Sequence, residues 1–341
     1  MNLILNLFLI SYYAAPFLTL YPGAQPTAMG GAFCGIVDNA YTNFYNSAGL
    51  AFQKEFDLSY ECNSVPWAIN ADHWTITGVL PLNKNLSSGF FGSGIYDKSI
   101  DLIGGDTLTT TFYQFCPGLA LGYKLLDLLG LGVNVKYIQS SFTLNLKGSN
   151  YNSWTIGRAF ATDIGLLVKY PLLLGKAGFG FTVQNIGPAM AYTASYPTSG
   201  IKDPLPITIR AGVSYSISVQ DVNKSNPKEW LSDWFKDKWR LLVAYDINKV
   251  KDEKFWHSFG LELRPIPILS LRFGYFNAPE PNGYEGRKGW VSGFGVDLKF
   301  LRLDISDDSA QYFFKTNRLR FSLSLNIGEP IFPKNGLLGK K

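Results

Sequence analysis

The side chains able to do chemistry in this chain are few and scattered. His73 and His257 are the only two histidines in 341 residues, and no partner motif accompanies either as a general base or metal ligand would require. Both read as wall or girdle positions of the architecture derived below. Cys34, Cys62 and Cys116 are odd in number and lack metal-ligand spacing, which leaves either one disulfide with a free thiol or three unpaired, buried thiols. Asp307 and Asp308, in LDISDDSAQYF, offer at most a weak cation site, and a solvated loop is the usual reading of such a pair. The run SGFFGSG at 88–94 is rich in glycine, but it lies at a strand end. It lacks the Lys/Ser pair and the following helix that a phosphate cradle uses. No GxSxG, HExxH, paired CxxC or EF-hand pattern occurs. The sequence therefore nominates no catalytic, cofactor-binding or metal-binding residue, and no enzyme is expected.

The elements that position these residues follow from composition and periodicity. Aromatics reach 15%, with 25 Phe and 19 Tyr, and there are 34 Gly, while charged residues are only 17% against a usual share of about 25%. Mean hydropathy is +0.03, which excludes a bundle of membrane helices but not a membrane barrel, whose strands alternate apolar and polar residues. The net charge of +5 is mild and its Lys and Arg are scattered, so no nucleic-acid partner is expected. Residues 1–20 contain LILNLFLISYYAA, which fits the apolar core and small residues of a secretory leader. Cleavage is expected after Ala14 or Ala15, although no Lys or Arg precedes the core.

From residue 55 to 327 one pattern recurs. In ITIRAGVSYSISV, Ile207, Ile209, Ala211, Val213 and Tyr215 share one parity and Thr208, Arg210, Gly212 and Ser214 the other. LRFSLSLNI, LGLGVNVKY, FGFTVQN and LSLRFGY repeat the arrangement. Successive strand residues point to opposite faces, whereas a helix of period 3.6 cannot bury these sets on one side. Arg210, Lys136, Arg272, Arg320 and Asp246 sit on the polar faces, as in a wet lumen with the apolar set in lipid. About fourteen strands are expected, several near the roughly 9–11 residues that cross a bilayer, with a tight turn at Phe300/Leu301. Short connections (LNKN, LLDLLG, PLLLG, PIP) alternate with long ones, as do the periplasmic turns and outer loops of such barrels. The segment 220–239 breaks this rhythm. Asn226, Pro227 and Glu229 make a good helix start, and Trp230, Leu231, Trp234 and Phe235 share a face. A short amphipathic helix is expected there on the periplasmic side, with Trp230, Trp234 and Phe235 at the membrane interface or against a partner. The fold class is thus all-β: a transmembrane antiparallel barrel over 55–327 with a helical insertion, and a tail at 328–341.

The stretch MGGAFCGIVDNAYTNFYNSAGLAF resembles the N-terminal signature of the PorV/PorQ family, within the wider FadL-like outer-membrane barrels. Met29, Gly30, Gly31 and Ala32 match its start. Asn46, Ser47, Ala48, Gly49 and Leu50 match its Asn-Pro-Ala-Gly-Leu element, with Ser in place of Pro. LGVNVKYIQSSFT, VQNIGPAMAYT with PLPITIRAGVSY, LSLRFGYF with RKGWVSGFGVDLKF, and TNRLRFSLSLNI follow in the family's order. The resemblance implies that 21–54 is a compact hatch entering the barrel from the periplasmic end, with Met29, Phe33, Phe44 and Leu50 as its apolar contacts. It also implies the outer membrane of a diderm bacterium and a part in type IX protein secretion. The partners would be outer-membrane lipid, the large translocon subunit, exported proteins with C-terminal signal domains, and attachment-complex proteins, with no cofactor. Candidate partner loops carry Gly187, Pro188 and Pro204, and Asn277 and Arg287. The alternative is a FadL-like transporter of hydrophobic small molecules. That reading requires a contiguous apolar pocket inside the barrel.

Overall fold

Alternation of period two commits the chain to strands. The structure, a computed structural model, describes residues 13–65, 71–103, 106–147, 151–173, 175–195, 200–218, 239–278, 287–298, 300–307 and 319–327. The expected helix at 220–239, with Trp230, Trp234 and Phe235, and the expected tail at 328–341 lie outside or almost wholly outside these residues. The strands are β1 (Phe56–Val65), β2 (Ala71–Pro81), β3 (Leu86–Ile103), β4 (Asp106–Leu126), β5 (Leu129–Leu146), β6 (Tyr151–Leu172), β7 (Gly175–Ile186), β8 (Met190–Ala194) and β9 (Lys202–Asp203), followed by β10 (Thr208–Ser218), β11 (Arg240–Val250), β12 (Trp256–Ile266), β13 (Leu269–Asn277), β14 (Lys288–Asp297), β15 (Leu301–Asp307) and β16 (Leu319–Ile327). They form one sheet that β5–β6 pairing closes; β8 and β9 stand outside the ring, leaving a closed antiparallel barrel of 14 strands. β1 pairs with β16, so first and last strands share the seam.

The tight turn between β14 and β15 is present, with Leu298 N donating to Leu301 O at 2.7 Å. The linker after β7 is not plain loop as its polarity suggested. β6 runs beyond the end of β7, and its free edge at Thr155–Arg158 is taken by β8.

The two faces separate as the alternation requires. Leu119, Val135, Phe160, Phe179, Val213 and Phe273 point outward, exposed, while Lys136, Arg210, Asp246, Arg272 and Arg320 point inward, buried. An apolar exterior on a closed barrel is the signature of a strand-built membrane span, which leaves no backbone edge in lipid. The protein accordingly spans an outer membrane. Aromatic contacts mark the boundary at the long-loop end: Tyr113–Phe115 (5.1 Å), Tyr137–Phe160 (5.3 Å) and Tyr275–Trp290 (5.0 Å) between centroids. Tyr123 and Tyr170 lie outward near the short-turn end. β3 to β6 have 18, 21, 18 and 22 residues, about twice what a bilayer needs. Beyond the aromatic band the outward parity is mixed: Thr109 and Thr111 on β4 face Asn145 and Thr143 on β5, while Ile100 and Leu102 on β3 and Trp154 on β6 are exposed on the same side. The strands of this wing run beyond the length that a bilayer needs.

Cys34 and Cys116 are buried thiols outside any disulfide, and Cys62 is exposed. His73 faces inward, 3.1 Å from Ser93 Oγ, and His257 faces outward in the upper band, 2.6 Å from Tyr245 OH. Both are wall residues.

Candidate functional site

The lumen is the only large enclosed space that such a barrel offers, and here it is filled by the chain's own start. Residues 13–54 do not simply enter from the periplasmic end; they traverse the lumen. At the loop end Tyr13 OH donates to Glu253 Oε1 at 2.6 Å and Ala14 N to Pro204 O at 2.8 Å. At the short-turn end Arg240 Nη2 donates to Asp38 Oδ2 at 2.9 Å, Ala40 N to Asp57 Oδ2 at 2.7 Å, and the segment leaves into β1. Between these points lie a 3-10 turn (Pro16–Thr19), short helices (Ala24–Ala28, Thr42–Tyr45) and a second 3-10 turn (Ser47–Phe52).

Such short turns leave backbone N–H and C=O groups that need partners when buried, and the polar parity of the wall supplies them. Asp246 Oδ2 accepts from Phe33 N at 3.0 Å and Cys34 N at 2.9 Å. Glu61 accepts from Gly23 N, and Arg320 donates to Tyr21 O. Ser322 Oγ accepts from Ala24 N at 2.8 Å; Gln184 donates to Phe44 O at 2.6 Å and Asn134 to Asn43 O at 2.7 Å. Glycine permits this closeness: any side chain at Gly180 would collide with the Cys34 carbonyl, and at Gly274 with the Met29–Gly30 peptide.

The wall charges are therefore sequestered rather than wet. Arg272 bridges Glu262 (2.7 Å) and Asp304 (2.8 Å), Arg302 also meets Asp304 (2.8 Å), and Lys136 meets Asp163 (2.7 Å). Arg320 pairs with Glu61 at 2.8 Å. Arg210 lies over the rings of Tyr21 and Tyr45, 5.4 and 5.7 Å from their centroids, and donates to Gln184 Oε1 at 3.0 Å. At the rim, burial pushes the Asp38 carboxyl up, but the Arg240 charge and hydrogen bond outweigh it and hold the group below the ordinary carboxylate range.

One side of the lumen is different. Phe91 and Ile95 on β3, Cys116 on β4, Ile138 on β5, Ala159 and Ala161 on β6, Met190 on β8, and Leu205 form a contiguous buried apolar surface. Phe17, Leu20 and Phe44 from the N-terminal segment pack against it. Among the described residues a cavity of about 30 Å³ remains, bounded by Phe17, Leu18, Phe44 and Phe91 on its apolar side and by Lys136 and Arg210 on its polar side. That is room for one or two waters.

Of the residues singled out from sequence, Met29, Ala32, Ser47, Ala48 and Leu50 are buried in the hatch, as is Phe33. Gly30 and Gly31 have φ of 64° and 77°, conformations glycine adopts freely. Asn46 caps the Ser47–Phe52 turn by accepting from Ala48 N at 3.1 Å, and it donates to Leu166 O on the wall at 3.0 Å. Gly49 packs against Thr42 and Val37. Among the candidate loop residues, Gly187 and Pro188 are exposed. Pro204 and Arg287 hold the N-terminal segment instead, through Ala14 N and Thr19 O (3.4 Å from Arg287). Asn277 Oδ1 accepts from His257 N at 2.9 Å. The alternating pattern marked Asp246 and Arg320 as inward but could not say what they hold. It also gave no sign of the apolar surface, whose Phe91, Cys116 and Ile138 interrupt polar parities on separate strands.

No protein-family model matches the chain, and no curated protein matches it. Solved structures do. The toluene transporter TodX of Pseudomonas putida superposes with a TM-score of 0.55 at 12% identity, over 90% of this chain and 98% of that one. The CymD monoaromatic hydrocarbon channel gives 0.50 at 12% identity, over 92% and 97%. The likeness is one of fold: a closed antiparallel barrel, which in this chain has 14 strands.

Proposed function

We propose that the protein carries hydrophobic small molecules across the outer membrane, with the apolar side of the lumen as their path. The observation that carries this reading is the continuous surface from Met190 and Leu205 through Ile95 and Ile138 to Phe91, met by Phe17 and Leu20. Polar parities alone argued for a lumen hostile to such molecules; the buried apolar surface answers that objection. An apolar guest gains roughly 25 cal/mol per Å² of surface removed from water. A 30 Å³ cavity is far below the about 150 Å³ that accommodates benzene in an engineered protein cavity, so passage requires Phe17–Leu20 to yield. The fold shared with a toluene transporter and a hydrocarbon channel supports the same reading. The test is uptake of a fluorescent aromatic hydrophobe into liposomes containing the purified protein. Saturable uptake that Ile138→Asp abolishes, with barrel mobility on gels retained, supports it; uptake indifferent to that substitution overturns it.

A second reading, delivery of exported proteins in type IX secretion, draws on the ordered sequence resemblance and on the wing of β3–β6 with β8–β9, whose strands run beyond the length that a bilayer needs and expose Ile100, Leu102 and Trp154. Affinity capture from detergent-solubilised membranes tests it. Recovery of a giant translocon subunit or of proteins sharing a C-terminal domain supports this second role. Its absence, together with bound hydrophobic molecules found by mass spectrometry, removes it.

A further inference from the structure

The outer face of β11–β14 ends on the loop side in two successive rows. Tyr245, Phe259, Tyr275 and Trp290 lie directly opposite one another across the four strands, with Trp290 71% exposed. The next row toward the loops is Ile247, His257, Asn277 and Lys288. Beyond it Lys249 stands near the end of β11, its Nζ 4.8 Å from the centroid of the Phe255 ring, and Lys251 and Lys254 are exposed in the β11–β12 turn. The geometry points to a binding site for a lipid of the outer leaflet, whose phosphate groups meet Lys249, Lys251, Lys254, His257 and Lys288 while its chains run down over the aromatic row.

Three observations carry this. The first is depth. Aromatic rings on the outside of a membrane barrel sit at headgroup level, and the outward row below them on β11–β13, Val243, Leu261 and Phe273, is apolar. Cations one row above the rings therefore stand where lipid phosphates lie. The second is charge. Among the described residues none of the four lysines forms an ion pair. The acids of the same turn do not neutralise them: Tyr13 OH engages Glu253 at 2.6 Å, and Asp252 alone remains exposed. The third is a fixed frame of matching width. Lys251 N donates to Ile207 O at 2.8 Å and Glu253 N to Val250 O at 3.1 Å, so the turn is tied to the wall. His257 Nδ1 is 2.6 Å from Tyr245 OH, which leaves Nε2 to donate to a phosphate oxygen. Three strand spacings of about 4.8 Å separate β11 from β14, roughly 14 Å in all. That width suits a glycolipid bearing two phosphates better than a head with one.

The test is native mass spectrometry of the detergent-solubilised full-length protein titrated with lipid A carrying both phosphates, which is expected to give a one-to-one adduct. Each lysine near an anionic lipid surface contributes about fivefold in affinity. Lys249→Ala, Lys251→Ala and Lys288→Ala together should therefore weaken binding by roughly a hundredfold. Lys54→Ala, Lys84→Ala and Lys98→Ala remove the same charge from exposed positions elsewhere and should leave binding unchanged. Heat-modifiable mobility should be retained in both. Unchanged binding in the first variant overturns the inference, and so does an equal loss in the second. For the native protein, lipid A stripped of its phosphates should bind poorly, and equal binding overturns the role of the cations. Displacement of lipid A by an equal concentration of inorganic phosphate also overturns it, because the site then takes a free anion rather than a lipid.

Discussion

Replacing Asp246 by Ala isolates the hold of the wall on the hatch. Its carboxylate is fully buried and accepts the Phe33 and Cys34 amides at 3.0 and 2.9 Å. Nothing in an alanine side chain replaces it. Each buried N–H left unsatisfied costs about 1–3 kcal/mol, so the substitution weakens hatch seating by roughly 2–6 kcal/mol. At 1.4 kcal/mol per tenfold, opening of the hatch becomes more frequent by roughly 30-fold at the lower bound. Hydrogen exchange followed by mass spectrometry on peptides covering 31–45 reads this directly, because these amides exchange only when the segment lifts from the wall. Exchange should accelerate by that factor or more in Asp246→Ala, and less in Asp246→Asn, which keeps one oxygen acceptor. Barrel-strand peptides should remain as slow as before, since β11 keeps its ladders to β10 and β12. An acceleration below about threefold would refute the view that wall carboxylates, rather than apolar packing alone, seat the hatch.

Gly180→Leu should prevent seating by placing a side chain in the Cys34 carbonyl; cells carrying it become permeable to large antibiotics while the barrel still inserts. Arg272→Met leaves Glu262 and Asp304 without their shared partner and should cost about 3–5 kcal/mol, read as a lower urea midpoint for the detergent-refolded protein. Because Asp38 titrates below its unfolded value, its pair with Arg240 stabilises the hatch above the ordinary carboxylate range. That contribution fades as pH falls through the lowered pKa. Protection of the 36–40 amides should therefore drop on acidification in the native protein, and Asp38→Asn should show the reduced protection already at neutral pH. Equal acid sensitivity in both proteins would exclude this pair as the cause.

The barrel was legible because its signal is local and repeated. Each strand such as Thr208–Ser218 displays its own alternation, and short LNKN or PIP turns punctuate the series. The long loops conceal more. Nothing in VQNIGPAMAYT announces that Met190–Ala194 would pair with the overhanging edge of β6, because that edge exists only where β7 stops. The hatch was legible as a Gly- and Asn-rich interruption, but not its path or its partners. Asp246 and Phe33, Glu61 and Gly23, and Ser322 and Ala24 are brought together only when the barrel forms around the hatch. Phe17 and Leu20 follow the expected cleavage site within the apolar run 1–20, and such a run has the same composition whether it is bound for a translocon or packed in a lumen. In the structure both side chains are buried against the β3–β6 wall.

The seam between β1 and β16 carries a consequence for assembly. Arg320 and Ser322 belong to the last strand, and they bind Tyr21 and Ala24 near the start of the described chain, some 298 residues apart in the case of Ala24 and Ser322. β16 also pairs with β1 from Phe56–Ile327 to Cys62–Phe321. The hatch cannot gain its final partners until the ring shuts, and the ring shuts around whatever the lumen then contains. Contacts of such long separation form late, after the entropy of the intervening chain has been spent. The plug thus serves as the mandrel on which the barrel is closed, and a barrel that seals without it encloses Arg320, Glu61 and Asp246 with water in place of the backbone they were positioned to meet.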